Sequence, residues 1–108
     1  MTWAVLLTRD AARDLEELFD CIDRHDAPGK AEQVLKRIEE AFESLSGSPQ
    51  RGAFPKELLA LGIREFREIF FKPYRIIYRV MDETVHVFLI VGGRRDMQTL
   101  LQRRLLEG

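Results

Sequence analysis

Cysteine is almost missing from this 108-residue chain: Cys21 stands alone, so no internal disulfide can form, and a reducing cytoplasm is the expected setting. No apolar run approaches the ~20 residues that a membrane-spanning helix requires. The opening MTWAVLLTRD has too short an apolar run, and no basic start, for a secretory signal. One Cys and two distant histidines make no metal-ligand set, and Gly92-Gly93 lacks the spacing of a phosphate-cradling loop, so no cofactor is expected. Internal repeats and low-complexity tracts are absent too. What is present, 45% hydrophobic and 32% charged residues, is the composition of a globular protein, and the length suits one domain over residues 1–108.

Net charge is also close to zero, at −1, but that sum hides an asymmetry. Residues 1–50 carry six basic and eleven acidic side chains, whereas residues 51–108 carry eleven basic and seven acidic ones. A molecule polarised in this way offers its basic half to an anion, either nucleic acid or an acidic protein segment.

The short apolar run WAVLL over residues 3–7 suits a strand. Thr8 follows as an N-cap for an amphipathic helix in which Ala11, Ala12, Leu15, Leu18, Phe19 and Ile22 share one stripe, reaching about Arg24. Cys21 sits at the edge of that stripe and reads as a small buried or half-buried hydrophobe. Asp26, Ala27, Pro28 and Gly29 break the helix, with Pro28 suited to the first position of the next one. In the second helix Ala31, Val34, Leu35, Ile38, Phe42 and Leu45 form the apolar face, and Gly47 is expected just past its end. The two helices form an antiparallel hairpin whose stripe needs a sheet to cover it. Residues 46–52 read as a loop, residues 54–61 as a short helical passage, and Met97, Leu100, Leu101 and Leu105 mark a short closing helix.

Between these lies a three-stranded antiparallel meander over residues 62–93, rich in β-branched and aromatic side chains, broken at Lys72-Pro73 and again at Met81-Asp82-Glu83. A period of two puts Tyr74, Ile76, Tyr78 and Val80 on a packed face and Arg75, Ile77 and Arg79 on the other. Arg64 and Arg67 lie in a stretch without clean alternation, and Arg94, Arg95, Arg103 and Arg104 follow the sheet. Function is expected on this arginine-bearing face. Arg75 has two readings: contact with a substrate or partner, or an ion pair with Glu65 or Glu68 on the neighbouring strand. His86, mid-strand, reads as a sheet histidine rather than a general base.

The order strand, helical hairpin, meander and final helix, with GIREFRE, YRIIYRV and VFLIVGGRRD, resembles the RelE/ParE superfamily of toxins of type II toxin–antitoxin systems over nearly the whole chain. The resemblance is strongest in residues 74–79 and 91–96, and closer to the ParE-like branch. It implies an α+β fold of order β-α-α-β-β-β-α, with the hairpin packed on a mainly antiparallel sheet. RelE-like members cleave messenger RNA in the ribosomal A site with an arginine matching Arg75, another near Arg94, and acid/base residues. The late His or Tyr that this nuclease branch often carries is replaced here by Leu100 and Leu101. ParE-like members instead poison DNA gyrase. The resemblance therefore implies no catalytic or metal-binding residue and no small-molecule substrate. It implies a gyrase-binding toxin neutralised by a cognate ParD-like antitoxin, with a RelE-like ribonuclease as the alternative. The candidates for toxicity or partner contact are Arg64, Arg67, Arg75, Arg79, Arg94, Arg95, Arg103 and Arg104.

Overall fold

The computed structural model describes residues 3–25, 28–71, 73–92 and 97–106. Strand β1 (Ala4–Leu7) leads into helix α1 (Arg9–His25), and helix α2 (Lys30–Gly47) returns antiparallel to it as the other arm of the hairpin. One short turn, α3 (Lys56–Leu59), precedes strands β2 (Arg67–Phe71), β3 (Tyr74–Met81) and β4 (Thr84–Gly92). Helix α4 (Met97–Leu101) follows, continued by one wider turn over Gln102–Leu106. This is the α+β order expected from the sequence.

Thr8 ends the strand and starts the helix. Its N–H donates to Val87 O at 3.0 Å, while its hydroxyl accepts the Ala11 N–H at 3.1 Å and its carbonyl that of Ala12 at 2.9 Å. At the second helix the start differs from expectation. Gly29, at φ 85, occupies the cap and Pro28 lies in the turn before it, because the chain enters α2 through a left-handed residue that proline cannot be. Gly47 is the last helical residue, and Ser48 closes the helix by donating to Ser44 O at 2.9 Å. Cys21 is exposed on α1 and not buried in its apolar stripe.

The sheet has the order β1-β4-β3-β2, with β1 parallel to β4 and the other pairs antiparallel. Asp82 and Glu83 form the two-residue β3–β4 turn with φ of 50 and 60, the left-handed pair that matches strand twist in a hairpin. Register shifts between Ile77, opposite Leu89, and Tyr78, opposite Val87. Phe88 is thus the extra residue of a β-bulge, and Phe88 and Leu89 both point away from the hairpin.

Two cores result. Ile76, Tyr78, Val85, Val87 and Ile90 pack with Ala11 and Leu45 of the hairpin. On the reverse face Ile77, Leu89 and Val91 pack with Leu58, Phe66, Met97 and Leu101. That second core corrects the expectation of an open arginine face: Ile77 is fully buried between Arg75 and Arg79. The physical reason lies in β4, whose VHVFLIV run is apolar on both sides and so must be covered on both. No helix among the described residues is long and apolar enough to cross a membrane.

The loop before α3 is pinned to β2. Ala53 and Glu68 exchange backbone hydrogen bonds of 3.1 and 2.7 Å, and the Gly52 N–H donates to the Tyr78 hydroxyl at 3.0 Å. Burial raises the Tyr78 pKa, which keeps this hydroxyl neutral. A Cβ at Gly52 would lie 2.6 Å from both Glu68 O and the Tyr78 hydroxyl, whereas at Gly47 nothing lies within 4 Å. Gly52→Ala should therefore destabilise the fold by about 1–3 kcal/mol, and Gly47→Ala should not. Urea denaturation of the two variants checks the pair.

Candidate functional site

Strand β2 begins only at Arg67, which explains why residues 63–66 show no alternation. From there Arg67 and Ile69 face the hairpin side, and Glu68 and Phe70 face the reverse side together with Arg75. The eight arginines singled out above consequently have different fates.

Arg75 is only 6% exposed. Its Nη1 and Nη2 bond both carboxylate oxygens of Glu57 at 2.8 and 2.9 Å. Its Nε bonds Glu68 Oε2 at 2.9 Å, and Nη2 bonds that same oxygen. Four of the roughly five guanidinium N–H groups are thereby occupied by carboxylates. The hydrogen bond with Glu57, then that with Glu68, raises the Arg75 pKa against the opposing effect of burial. The same bond from Arg75 holds the Glu57 carboxyl below its ordinary value of 4.5. Of the two readings of Arg75, the ion pair with Glu68 is realised, that with Glu65 is not, and Glu57 is an additional partner. Above this triad an open groove of about 580 Å3 carries Phe70, 61% exposed, with the Arg75 guanidinium 5.5 Å from its ring centre.

Arg64, Arg67 and Arg79 are brought together around a second groove, of about 290 Å3, completed by Gln50, Glu65 and Val80. Arg67 Nη1 donates to the carbonyls of Gln50 and Gly52 at 3.2 and 2.8 Å, and its guanidinium lies 4.6 Å over the Phe54 ring. Arg79 lies 5.9 Å over Phe66, and Arg64 is exposed.

Arg104 turns inward. It makes bonds of 3.1 and 3.0 Å to the two carboxylate oxygens of Asp14 and one of 3.2 Å to Phe88 O, and it lies 3.8 Å from Asp10. Asp14 Oδ2 also accepts the Ile90 N–H at 3.2 Å. Because β1 ends at Leu7, opposite Val87, β4 runs on unpaired along that edge, and this side-chain pair satisfies the backbone groups that a longer β1 would have bonded. Arg103 is exposed on the outer side of the same turn. Arg94 and Arg95 lie outside the described residues. His86 is half-buried on β4 opposite Leu6 and Arg79. Sequence reasoning missed Glu57 and Asp14, since neither is linked to its arginine by local spacing. Among the described residues no group of three or more His, Cys, Asp or Glu side chains is placed to hold a metal ion.

The family described as ParE toxin of type II toxin-antitoxin system, parDE, matches residues 5–97 of this chain. Toxin ParE3 of Caulobacter vibrioides is 30% identical over 100 residues, which are 93% of this chain and 96% of that protein. A chain of the chromosomal ParDE TA system from P. aeruginosa superposes with a TM-score of 0.68 at 21% identity, over 84% of this chain and 96% of that one. A chain of the toxin–antitoxin complex RelBE2 from Mycobacterium tuberculosis gives 0.57 at 26%, over 85% and 92%. A mutant of E. coli toxin RelE in the free state gives 0.59 at 20%, over 98% and 100%. The helical hairpin on a four-stranded sheet is the architecture they share with this chain.

Arg75→Ala leaves two carboxylates facing each other without their cation and should destabilise the protein by about 3–5 kcal/mol in urea. The pH dependence has a definite sign. A carboxyl whose folded pKa is depressed stabilises above its unfolded pKa and loses that contribution as pH falls through the folded one. Stability should therefore fall in acid below about pH 4.5, and Glu57→Gln should flatten that part of the profile. Asp14→Ala should accelerate hydrogen exchange at the Ile90 amide well beyond any change at Ile76 in the sheet centre, as read by NMR.

Proposed function

The chain belongs to the ParE toxin family of type II toxin–antitoxin systems, and from that premise we propose that it acts as a non-catalytic toxin that poisons DNA gyrase and is held inactive by a cognate ParD-like antitoxin. The observation that carries this reading is the state of Arg75. Cleaving RNA through its 2′-hydroxyl needs a proton acceptor, a proton donor and positive charge at the scissile phosphate. The arginine that matches the nuclease branch is instead enclosed by Glu57 and Glu68, which leaves a net negative charge at that point. Leu100 and Leu101 stand where that branch places its late His or Tyr, and Leu101 is fully buried in the second core. Neither moves a proton.

The antitoxin partner is supported by structural likeness to toxin–antitoxin systems and by surface chemistry. Leu6, Leu59, Leu61 and Phe70 are each at least 40% exposed, the kind of scattered apolar area that a tail folding on contact can cover. Cytoplasmic location follows from the same reading, because gyrase and an intracellular antitoxin are its partners.

Ribosome-dependent messenger cleavage is the second reading, and likeness to the RelBE2 complex favours it. Purified gyrase separates the two. The protein should inhibit supercoiling and raise the amount of linear, enzyme-linked plasmid, while primer extension on translated messages shows no new ends. Intact supercoiling together with toxin-dependent ends inside codons would overturn the gyrase reading.

A further inference from the structure

Five described arginines of the second half of the chain, Arg64, Arg67, Arg75, Arg79 and Arg104, fall into two electrostatic groups. Arg75 and Arg104 are neutralised by carboxylates. By contrast, Arg64, Arg67 and Arg79, which meet around one groove, form no ion pair among the described residues. Glu65 is the one acidic side chain lining that groove, so its walls keep a net charge of two positives. Three guanidiniums around a single carboxylate that is ion-paired to none of them repel one another, and an anion settling between them relieves that repulsion.

The chemistry of the walls selects among anions. Apart from Val80 the lining is polar, so the groove lacks the apolar anchors with which a folding peptide gains affinity. Single-stranded nucleic acid is held by bases stacking on open aromatic faces. Among the described residues no aromatic side chain lines the groove, and the rings that its arginines cover, Phe54 by Arg67 and Phe66 by Arg79, are not part of its walls. What is left is charge on a rigid frame. Arg67 is fixed by two backbone carbonyls and Arg79 is carried by a central strand. Guanidiniums arranged in this way suit phosphates of a duplex, whose contacts position a protein without reading sequence.

We infer that the Arg64–Arg67–Arg79 groove binds the phosphate backbone of double-stranded DNA. This rests on the reading of the chain as a toxin of a DNA-bound target and deepens it, since the protein would then grip the duplex as well as the enzyme. The groove acts through charge, so its contribution weakens with salt.

The test is fluorescence anisotropy with a labelled 20-base-pair duplex and the whole chain at 50 and 200 mM salt. Each phosphate contact contributes about 0.9 to the slope of log affinity against log salt. R64A/R79A should therefore flatten that slope by about 1.8, so that its affinity falls roughly twelvefold less than wild type over this range. The charge-matched variant R9A/R13A, altered at two exposed positions on α1, should keep the wild-type slope. Circular dichroism confirms that all are folded. Equal slopes for wild type and R64A/R79A, or binding of single-stranded oligothymidylate at least as tight as duplex with the same arginine dependence, would overturn the inference. Running gyrase poisoning in parallel keeps two failures apart. Poisoning without duplex binding refutes the groove alone, and duplex binding without poisoning refutes the gyrase reading.

Discussion

Three separate segments of this protein meet at one guanidinium. Glu57 comes from the short turn α3, Glu68 from β2 and Arg75 from β3, and the three side chains close around each other beneath the groove that carries Phe70. A buried charge is tolerated only when paired and hydrogen-bonded, so the position of each segment is dictated by the other two. Such a triad is a weak source of net stability, because an apolar replacement of the whole set is often equally stable. It is strong as a specification, because losing one member leaves the others uncompensated. Here it fixes α3 over the reverse face of the sheet, where Leu58 joins Phe66, Met97 and Leu101 in covering Ile77 and Leu89.

The same contact bears on function. On the reading proposed above, a nuclease would need the guanidinium at this place free to meet the phosphate being cut. Occupied by two carboxylates, it is tied into the fold, and among the described residues Arg64, Arg67 and Arg79 gather positive charge elsewhere, around the second groove. The acidic hairpin is likewise more than a repulsive flank. Asp14, aided by Asp10, draws Arg104 onto α1 and lets the closing turn seal the unpaired edge of β4 beside the Phe88 bulge. Part of the charge separation along the chain is thus spent inside the fold.

Much of the architecture was legible in the residues. Thr8 before a 3.6-period stripe marked the start of α1, and alternation placed Ile76 and Tyr78 against the hairpin. Met81-Asp82-Glu83 marked the β3–β4 turn, except that Met81 still belongs to β3, and Lys72 of the Lys72-Pro73 break lies outside the described residues. Less visible were features set by long-range contact. The Phe88 bulge, which turns Phe88 and Leu89 to the same side, leaves no trace in the run TVHVFLIV. The run's apolar character on both sides did carry the signal that both faces are covered, and that signal weighs against any open arginine face. At the site, Glu68 was within reach of inference because antiparallel pairing sets it near Arg75. Glu57 was not, since it lies 18 positions before Arg75 and its approach depends on how the chain between them folds back. Pro28 misled because its fitness for a helix start is real but weaker than the demand for a positive φ at Gly29.

Arg75, enclosed by Glu57 and Glu68, belongs to the protein and not to a substrate. Nitrogen-15 NMR of the arginine side chains tests it most directly. A guanidinium fixed by Glu57 and Glu68 should give separate, slowly exchanging Nη signals for Arg75 in the free protein, and these should not move when an RNA oligonucleotide is added. A single averaged signal, or one that shifts with RNA, would mean that the guanidinium is free to meet a substrate.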